Sequence, residues 1–166
     1  MHIVIEKIIT DNKEQQLSDE IYSKFQKRLE NMEPTWHNIP RFREDIETIA
    51  SSLGFLSKIP IDADRRTRKT IKGQYQDIGY NVQFGNKEFF LGDMIKFQHL
   101  YNQERINEVL YVCMTKEAVR QSYAESLVTL EESMQLIEVF SKIFTFPMCF
   151  LGIDNETVGF KLGTLR

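Results

Sequence analysis

Two short apolar segments constrain the fold of this chain more than any other feature. They are EVLYVCM at residues 108–114 and PMCFLGI at residues 147–153. Strands that are covered on both faces carry continuous apolar residues, and parallel strands need a crossover connection between them. The segment 116–144 predicts one or two helices that would form this crossover. The sequence therefore predicts an α/β fold in which helices flank a mixed central sheet.

The rest of the chain predicts further elements of the same architecture. In order, they are a strand at 2–9, a helix that begins at Ser18 or Asp19 and ends before Pro34, a helix at 41–53, a strand at 77–84, a helix at 91–101 and a short strand at 157–162. The helical segments carry apolar residues at helical spacing, whereas the first strand is rich in β-branched residues. With no repeat or linker in the sequence, we predict a single domain over residues 1–166.

Composition and charge fit a soluble globular protein. Of the 166 residues, 42% are hydrophobic and 27% are charged, and the formal net charge is −3. No apolar run reaches the length of a membrane span, and the first residues carry charges where a signal peptide needs an apolar core. These features predict a cytoplasmic protein with no membrane partner. The acidic balance also argues against nonspecific nucleic-acid binding by the whole surface.

Cysteine and histidine residues give no indication of a metal centre. Cys113 and Cys149 lie inside the apolar segments, where cysteine usually behaves as a small buried hydrophobe. His2, His37 and His99 lie far apart and lack the spacing of a zinc site. The motifs of P-loop, Rossmann, α/β-hydrolase and zinc-protease enzymes are missing from the sequence, which argues against these classes.

A basic segment, DADRRTRKTIK at residues 62–72, is the local exception to the acidic balance. Its cations are Arg65, Arg66, Arg68, Lys69 and Lys72, and its anions are Asp62 and Asp64. One interpretation is a solvated loop or hairpin, because charge runs are usually exposed. The other is a guanidinium-rich loop that binds phosphate groups, which would make these cations DNA-binding residues.

The strand GYNVQF at residues 79–84 has an unusual polar face. Polar and apolar residues alternate along it, which places Asn81 and Gln83 on the same side. A Gly-Asn turn at residues 85–86 and the pair Phe89-Phe90 follow. Two neutral amides are therefore neighbours on a strand that leads through a turn into a helix.

This segment and several others resemble the BglII/BstYI family of type II restriction endonucleases. Residues 80–101, YNVQFGNKEFFLGDMIKFQHLY, are similar to a segment of that family. In the family a strand is followed by a small residue and by Asn or Lys, and the chain then enters a helix. Residues 106–112 and 146–153 are similar to later strands of the family, and the N-terminal segment to its N-terminus. The resemblance covers 1–33 and 77–154, while the intervening segment matches poorly. It implies a restriction-endonuclease-like fold.

The resemblance also implies where a catalytic site would lie. In the family an aspartate and a glutamate bind a divalent metal that activates water, and Glu or Gln follows two residues after the glutamate. In this chain Asn81 stands at the glutamate position, Gln83 two residues on, and Lys72 at the aspartate position. Mg²⁺ normally needs one or two carboxylates, so their replacement is consequential. The resemblance implies Mg²⁺ if the protein is active and otherwise no cofactor.

Other acidic residues are candidates for a relocated metal site. Asp77 shares the predicted face of Asn81 and Gln83, but four residues separate it from Asn81, which is roughly 13 Å along a strand. Asp77 nevertheless completes the set of candidate catalytic residues with Asn81 and Gln83. The further acids that the fold would have to bring in are Asp62, Asp64, Glu44 and Glu47.

Three functions are compatible with these observations, and the sequence alone leaves them open. The first, which we favour, is a nuclease-derived protein that associates with duplex DNA, is impaired in catalysis and acts in a restriction or phage-defence context. The second is an active Mg²⁺-dependent DNA endonuclease with relocated acids. The third is a subunit or antagonist of a defence assembly that binds protein rather than DNA.

The resemblance further implies a homodimer. In that case the helix at 91–101 or the helix near 130–144 would supply the dimer face, with Tyr101, Phe140 and Phe144 as candidates. The alternative is that these three aromatic residues belong to the core.

Overall fold

Six strands and five helices form the described part of the chain. The computed structural model describes residues 1–8, 19–35, 38–62, 64, 66–122 and 126–154. The elements are β1 (His2–Ile8), α1 (Asp19–Glu30), α2 (Ile39–Ser52), β2 (Leu56–Pro60), β3 (Thr70–Tyr75), β4 (Ile78–Val82), α3 (Lys87–Asn102), β5 (Glu108–Met114), α4 (Lys116–Gln121), α5 (Leu130–Val139) and β6 (Met148–Asp154). Within these ranges, no helix has the length and apolarity that crossing a membrane requires.

The strands form one mixed sheet in the order β1-β6-β5-β4-β3-β2. The central strands β4, β5 and β6 are parallel, whereas β1 pairs antiparallel with β6 at one edge. At the other edge β2, β3 and β4 form an antiparallel meander. Helix α3 connects β4 to β5, and α4 and α5 connect β5 to β6, as parallel neighbours require. The predicted α/β class with a mixed, helix-flanked sheet is confirmed.

Apolar residues cover the sheet on both faces. On one face α1, α2 and α4 pack on side chains such as Tyr80 and Leu110. On the other face α3 and α5 pack on Tyr111 and Phe150. All seven residues of β5 are buried, as the continuous apolar segment predicted. Cys113 and Cys149 are free, buried thiols in this core, and burial raises the pKa of the Cys113 thiol.

The aromatic candidates for a dimer face pack on the core of the chain itself. Phe144 is buried, and its ring contacts the rings of Phe140 and Phe146. Tyr101 also packs against Phe146, at 6.2 Å between ring centroids. Phe144 is therefore a core residue, whereas Tyr101 and Phe140 are only partly buried against the core, so a dimer face that includes them stays a prediction.

The structure differs from the prediction most at residues 56–84. The predicted strand at 77–84 is shorter, because Gln76 and Asp77 form the turn of a hairpin between β3 and β4. The sequence also did not predict β2 and β3 as strands.

Helix α3 begins at Lys87, earlier than predicted, because the Asn86 side chain accepts hydrogen bonds from the N–H groups of Glu88 and Phe89. The predicted strand at 157–162 lies outside the described residues.

Candidate functional site

A cleft opens where β3 and β4 separate. The strands pair from Tyr75 and Ile78 as far as Gly73 and Tyr80. Beyond that point they diverge, and continuing their register would set Lys72 opposite Asn81. The cleft between the diverging strands has a volume of about 480 Å³. The equivalence of Lys72 to the family's aspartate, which the resemblance implied, stays a prediction.

Side chains from three strands and two helices line the cleft. They are Arg43 from α2, Lys58 from β2, Thr70, Ile71 and Lys72 from β3, Asn81 and Val82 from β4, Gln83, Phe84 and Gly85 from the following turn, and Phe89, Asp93 and Lys96 from α3. The structure thus brings together Lys72, Asn81 and Gln83, which the sequence analysis proposed as parts of one site.

Asp77, the third candidate catalytic residue, lies elsewhere. It sits in the turn before β4, at the opposite end of that strand from Gln83. Its exposed carboxylate accepts a hydrogen bond of 2.6 Å from the Asn107 side-chain amide. The prediction failed because it continued the strand through this turn, and Asp77 does not line the cleft.

Of the other acids considered, only Glu47 reaches the cleft residues. Its Oε1 atom lies 2.7 Å from Nζ of Lys72 and 3.7 Å from Nε of Arg43. Asp62 instead accepts a hydrogen bond from the Thr67 N–H, which lowers the pKa of the Asp62 carboxyl, and Asp64 pairs with Arg66. Glu44 is exposed on α2 and is not among the residues that line the cleft. The one acid that approaches is therefore already paired with cations.

Gln83 is held by a buried polar network. Its Nε2 donates to Oδ2 of Asp93 at 2.9 Å, and the Tyr111 hydroxyl donates to the same oxygen at 3.1 Å. Lys96 donates to Oδ1 of Asp93 at 2.6 Å. Burial, with the adjacent Asp93 charge, raises the pKa of Tyr111 well above its ordinary value, so the phenol remains a donor. Asp93 is 4% exposed, and these three donors satisfy its charge.

Asn81 is buried beside this network, with 3% of its surface exposed. Its side-chain oxygen accepts a hydrogen bond of 2.9 Å from the N–H of Val82, the next residue. The amide therefore turns its oxygen toward its own backbone.

Mg²⁺ does not fit this set of donors. The ion needs carboxylate or carbonyl oxygens that carry or share negative charge. We call the point beyond Gly73 and Tyr80, where β3 and β4 diverge, the fork. At the fork lie the Lys72 ammonium group and the Asn81 side-chain oxygen, which is already hydrogen-bonded, while the Asp93 carboxylate accepts from three donors. Among the described residues, no three His, Cys, Asp or Glu side chains converge to hold a metal.

The cleft has a basic character that the sequence analysis missed. Arg43, Lys58 and Lys96 join Lys72 in lining it. These residues are distant in the sequence and belong to three different elements, so no local pattern connects them. The available signals were two pairs one helical turn apart, Asp93 with Lys96 and Arg43 with Glu47, since such spacing favours ion pairs.

Residues 61–69, which include most of the basic segment, form the connection between β2 and β3. Hydrogen bonds from Ile61 N–H to the Lys69 carbonyl and from Arg105 to the Pro60 and Ile61 carbonyls fix its base. Arg66, Arg68 and Lys69 are exposed, whereas Arg65 lies outside the described residues. The hairpin interpretation is confirmed. Phosphate binding by the segment stays a prediction.

Comparison with known proteins places this fold in a family. The family model described as restriction endonuclease BglII/BglIII matches residues 1–153, including the segment 34–76 that the resemblance had left uncovered. A crystal structure of restriction endonuclease BglII complexed with a DNA 16-mer superimposes with a TM-score of 0.75 at 16% identity, covering 95% of this chain and 81% of that one. No curated protein sequence gives a significant match. The chain belongs to the BglII restriction endonuclease family.

Proposed function

We propose that this protein associates with duplex DNA through a nuclease fold whose cleft does not support metal-dependent cleavage. The observation that carries the proposal is the arrangement at the fork, where Lys72 and Asn81 face the cleft at the positions expected for metal-binding acids. A lysine at this place repels a divalent cation and attracts a phosphate group. The cleft between β3 and β4 therefore favours the binding of a DNA phosphate over its metal-dependent cleavage.

Duplex DNA is the proposed partner for two reasons. A solved structure of the same fold, that of restriction endonuclease BglII, is a complex with DNA. In this chain, the exposed cations of the β2–β3 connection lead directly into Thr70 at the rim of the cleft, so loop and cleft supply neighbouring positive charge. Such local charge can bind a phosphate backbone even though the whole chain is acidic.

An active endonuclease is the second candidate, and one observation favours it. Asp93 lines the cleft and fixes Gln83, the residue at which the family pattern is retained. The paired state of Asp93 and Glu47 is the reason why we rank this function below DNA association. Plasmid nicking by the wild-type protein would reverse the ranking.

A homodimer in a restriction or phage-defence context completes the proposal. Phe144 is a core residue, but Tyr101 on α3 is only partly buried and Ile95 on the same helix has 63% of its surface exposed, so we propose α3 as the contact face. Sedimentation of the wild type and of Ile95→Lys tests this part. We expect a dimer that the charged variant weakens, and a wild-type monomer at all concentrations would refute it.

DNA association is tested by fluorescence anisotropy of a labelled duplex over a series of salt concentrations. In EDTA we expect duplex binding that weakens steeply with salt. The slope of log K against the logarithm of the salt concentration should fall in magnitude by about 0.9 for each phosphate contact that is removed. A variant with Arg66→Gln, Arg68→Gln and Lys69→Gln should have a smaller slope, and Lys142→Gln, an exposed lysine after α5, serves as the matched control. No duplex binding by the wild type would instead favour a protein partner.

A further inference from the structure

We propose that the cleft binds one phosphodiester group directly, with the ammonium group of Lys72 in the charge-neutralising role that a metal has in a nuclease. The residues at the fork do not fit Mg²⁺ and present positive charge instead. This phosphodiester site rests on the proposed DNA association.

Lys72 is positioned for this role by Glu47. The ion pair of 2.7 Å fixes the ammonium group at the cleft and engages one of its three N–H donors. The remaining two donors are available for phosphate oxygens, and hydrogen bonds between charged partners are stronger than neutral ones. With Arg43 beside the same carboxylate, Lys72, Arg43 and Glu47 together carry a net single positive charge, which matches the single negative charge of a diester.

Lys58 provides a second, independent observation. Its backbone has φ of 55° inside β2, a conformation that is costly for a residue with a side chain. The flanking pairs Ser57–Gly73 and Ile59–Ile71 are formed, so the neighbouring ladder holds Lys58 in this conformation. Backbone strain of this kind concentrates at functional sites. Lys58 lines the cleft and forms no ion pair with any described residue, which leaves its charge for a ligand.

Arg43 adds an unsatisfied donor on the α2 side. Its Nε atom is buried without a hydrogen-bond partner among the described residues, since Glu47 lies at 3.7 Å. A buried donor without a partner is unfavourable, and a phosphate oxygen would relieve it. With Lys96, the cleft then has four cations against Asp93 and the adjacent Glu47. The excess of positive charge matches an anion and not a metal ion.

The test uses the thymidine dinucleotide TpT, which contains one phosphodiester, and thymidine as the probe without phosphate. Both are titrated into the protein in EDTA while backbone amide shifts are followed by NMR. We expect saturable shifts near Lys72, Asn81 and Gly85 with TpT and none with thymidine. In a variant with Lys58→Gln and Lys72→Gln, TpT affinity should fall about tenfold or more, as loss of charged hydrogen bonds predicts. Lys142→Gln should behave as the wild type.

The outcomes separate this inference from the proposed function. Normal duplex binding with no TpT shifts at the cleft, or shifts that need Mg²⁺, would overturn the inference and leave DNA association intact. TpT shifts at the cleft without duplex binding would support the phosphodiester site and overturn the proposed partner. If the double variant fails to fold, Lys58→Gln alone decides, because Lys58 is exposed and we expect it to weaken TpT binding without loss of structure.

Discussion

The ammonium group of Lys72 on β3 lies 2.7 Å from a carboxylate oxygen of Glu47 on α2. Both side chains are 38% exposed, so the pair contributes on the order of 1 kcal/mol or less to stability. Its main consequence is to fix a positive charge at the fork of β3 and β4. Glu47 is thus a positioning residue for Lys72.

Glu47→Gln should increase duplex affinity. The amide can still accept a hydrogen bond from Lys72, while the positive charge of the cleft rises by one. We expect a severalfold lower Kd in EDTA, measured by anisotropy, and a change in unfolding free energy within about 1 kcal/mol. A Kd that rises would contradict the assignment of the cleft as an anion site.

Tyr111→Phe should lower stability by about 1–2 kcal/mol, because Asp93 loses a buried donor. The variant also tests how the free energy of unfolding depends on pH. The pKa of Tyr111 is raised in the folded protein, so the contribution of Tyr111 to stability is complete below the ordinary tyrosine pKa near 10 and is lost as pH rises above that value. Tyr22 and Tyr80 have raised pKa values as well, and the variant isolates Tyr111.

The measurement is urea unfolding at pH 8 and pH 11. Wild-type stability should fall by about 1.4 kcal/mol more than that of Tyr111→Phe over this interval. Equal losses in the two proteins would mean that Tyr111 ionises alike in the folded and unfolded states, in conflict with its burial.

Two glycines should respond in opposite directions to alanine. A Cβ atom at Gly152 on β6 would lie 2.5 Å from Cδ2 of Leu130, so Gly152→Ala should cost about 1–3 kcal/mol by overpacking. A Cβ atom at Gly92 on α3 would meet nothing within 4 Å, so Gly92→Ala should stabilise by about 0.5–1 kcal/mol through helix propensity. Urea denaturation of both variants checks the packing of α5 on the sheet, and a neutral Gly152→Ala would argue against it.

The fold could be predicted from the sequence where burial dominates. β5 was predicted at its observed bounds, because a strand covered on both faces is apolar without interruption. β3 was missed because its first three residues belong to the basic segment and its apolar residues are separated by polar ones. Local charge therefore obscured a strand that pairing with β2 and β4 stabilises.

The site could be predicted only in part. Asn81 and Gln83, which line the cleft, were identified by a strand pattern that resembles a known family, and Lys72 by counting back along the chain from that strand. Arg43 and Lys58 reach the cleft through tertiary packing, which leaves no periodic signal in the chain. Asp77 was placed wrongly because the turn before β4 ends the strand there.

Restoring carboxylates should create metal affinity. In the variant with Lys72→Asp and Asn81→Glu, the added acids would join Glu47 at the fork, where Mg²⁺ or Mn²⁺ can gather them. Without metal, the acid at the buried position of Asn81 should lower the Tm. Metal at about 100 times its Kd should then return about 2.7 kcal/mol of stability. A Tm that metal does not change would contradict the correspondence of these positions to the family's acids.

Uptake of Mn²⁺ by the wild-type protein, measured by calorimetry with and without duplex DNA, tests the central claim most directly. We predict duplex binding of equal affinity in EDTA and in Mn²⁺, with no stoichiometric metal bound to the complex and no nicking of the duplex. One or two Mn²⁺ ions bound per chain in the presence of duplex, together with nicking, would contradict the account and identify the protein as an active nuclease.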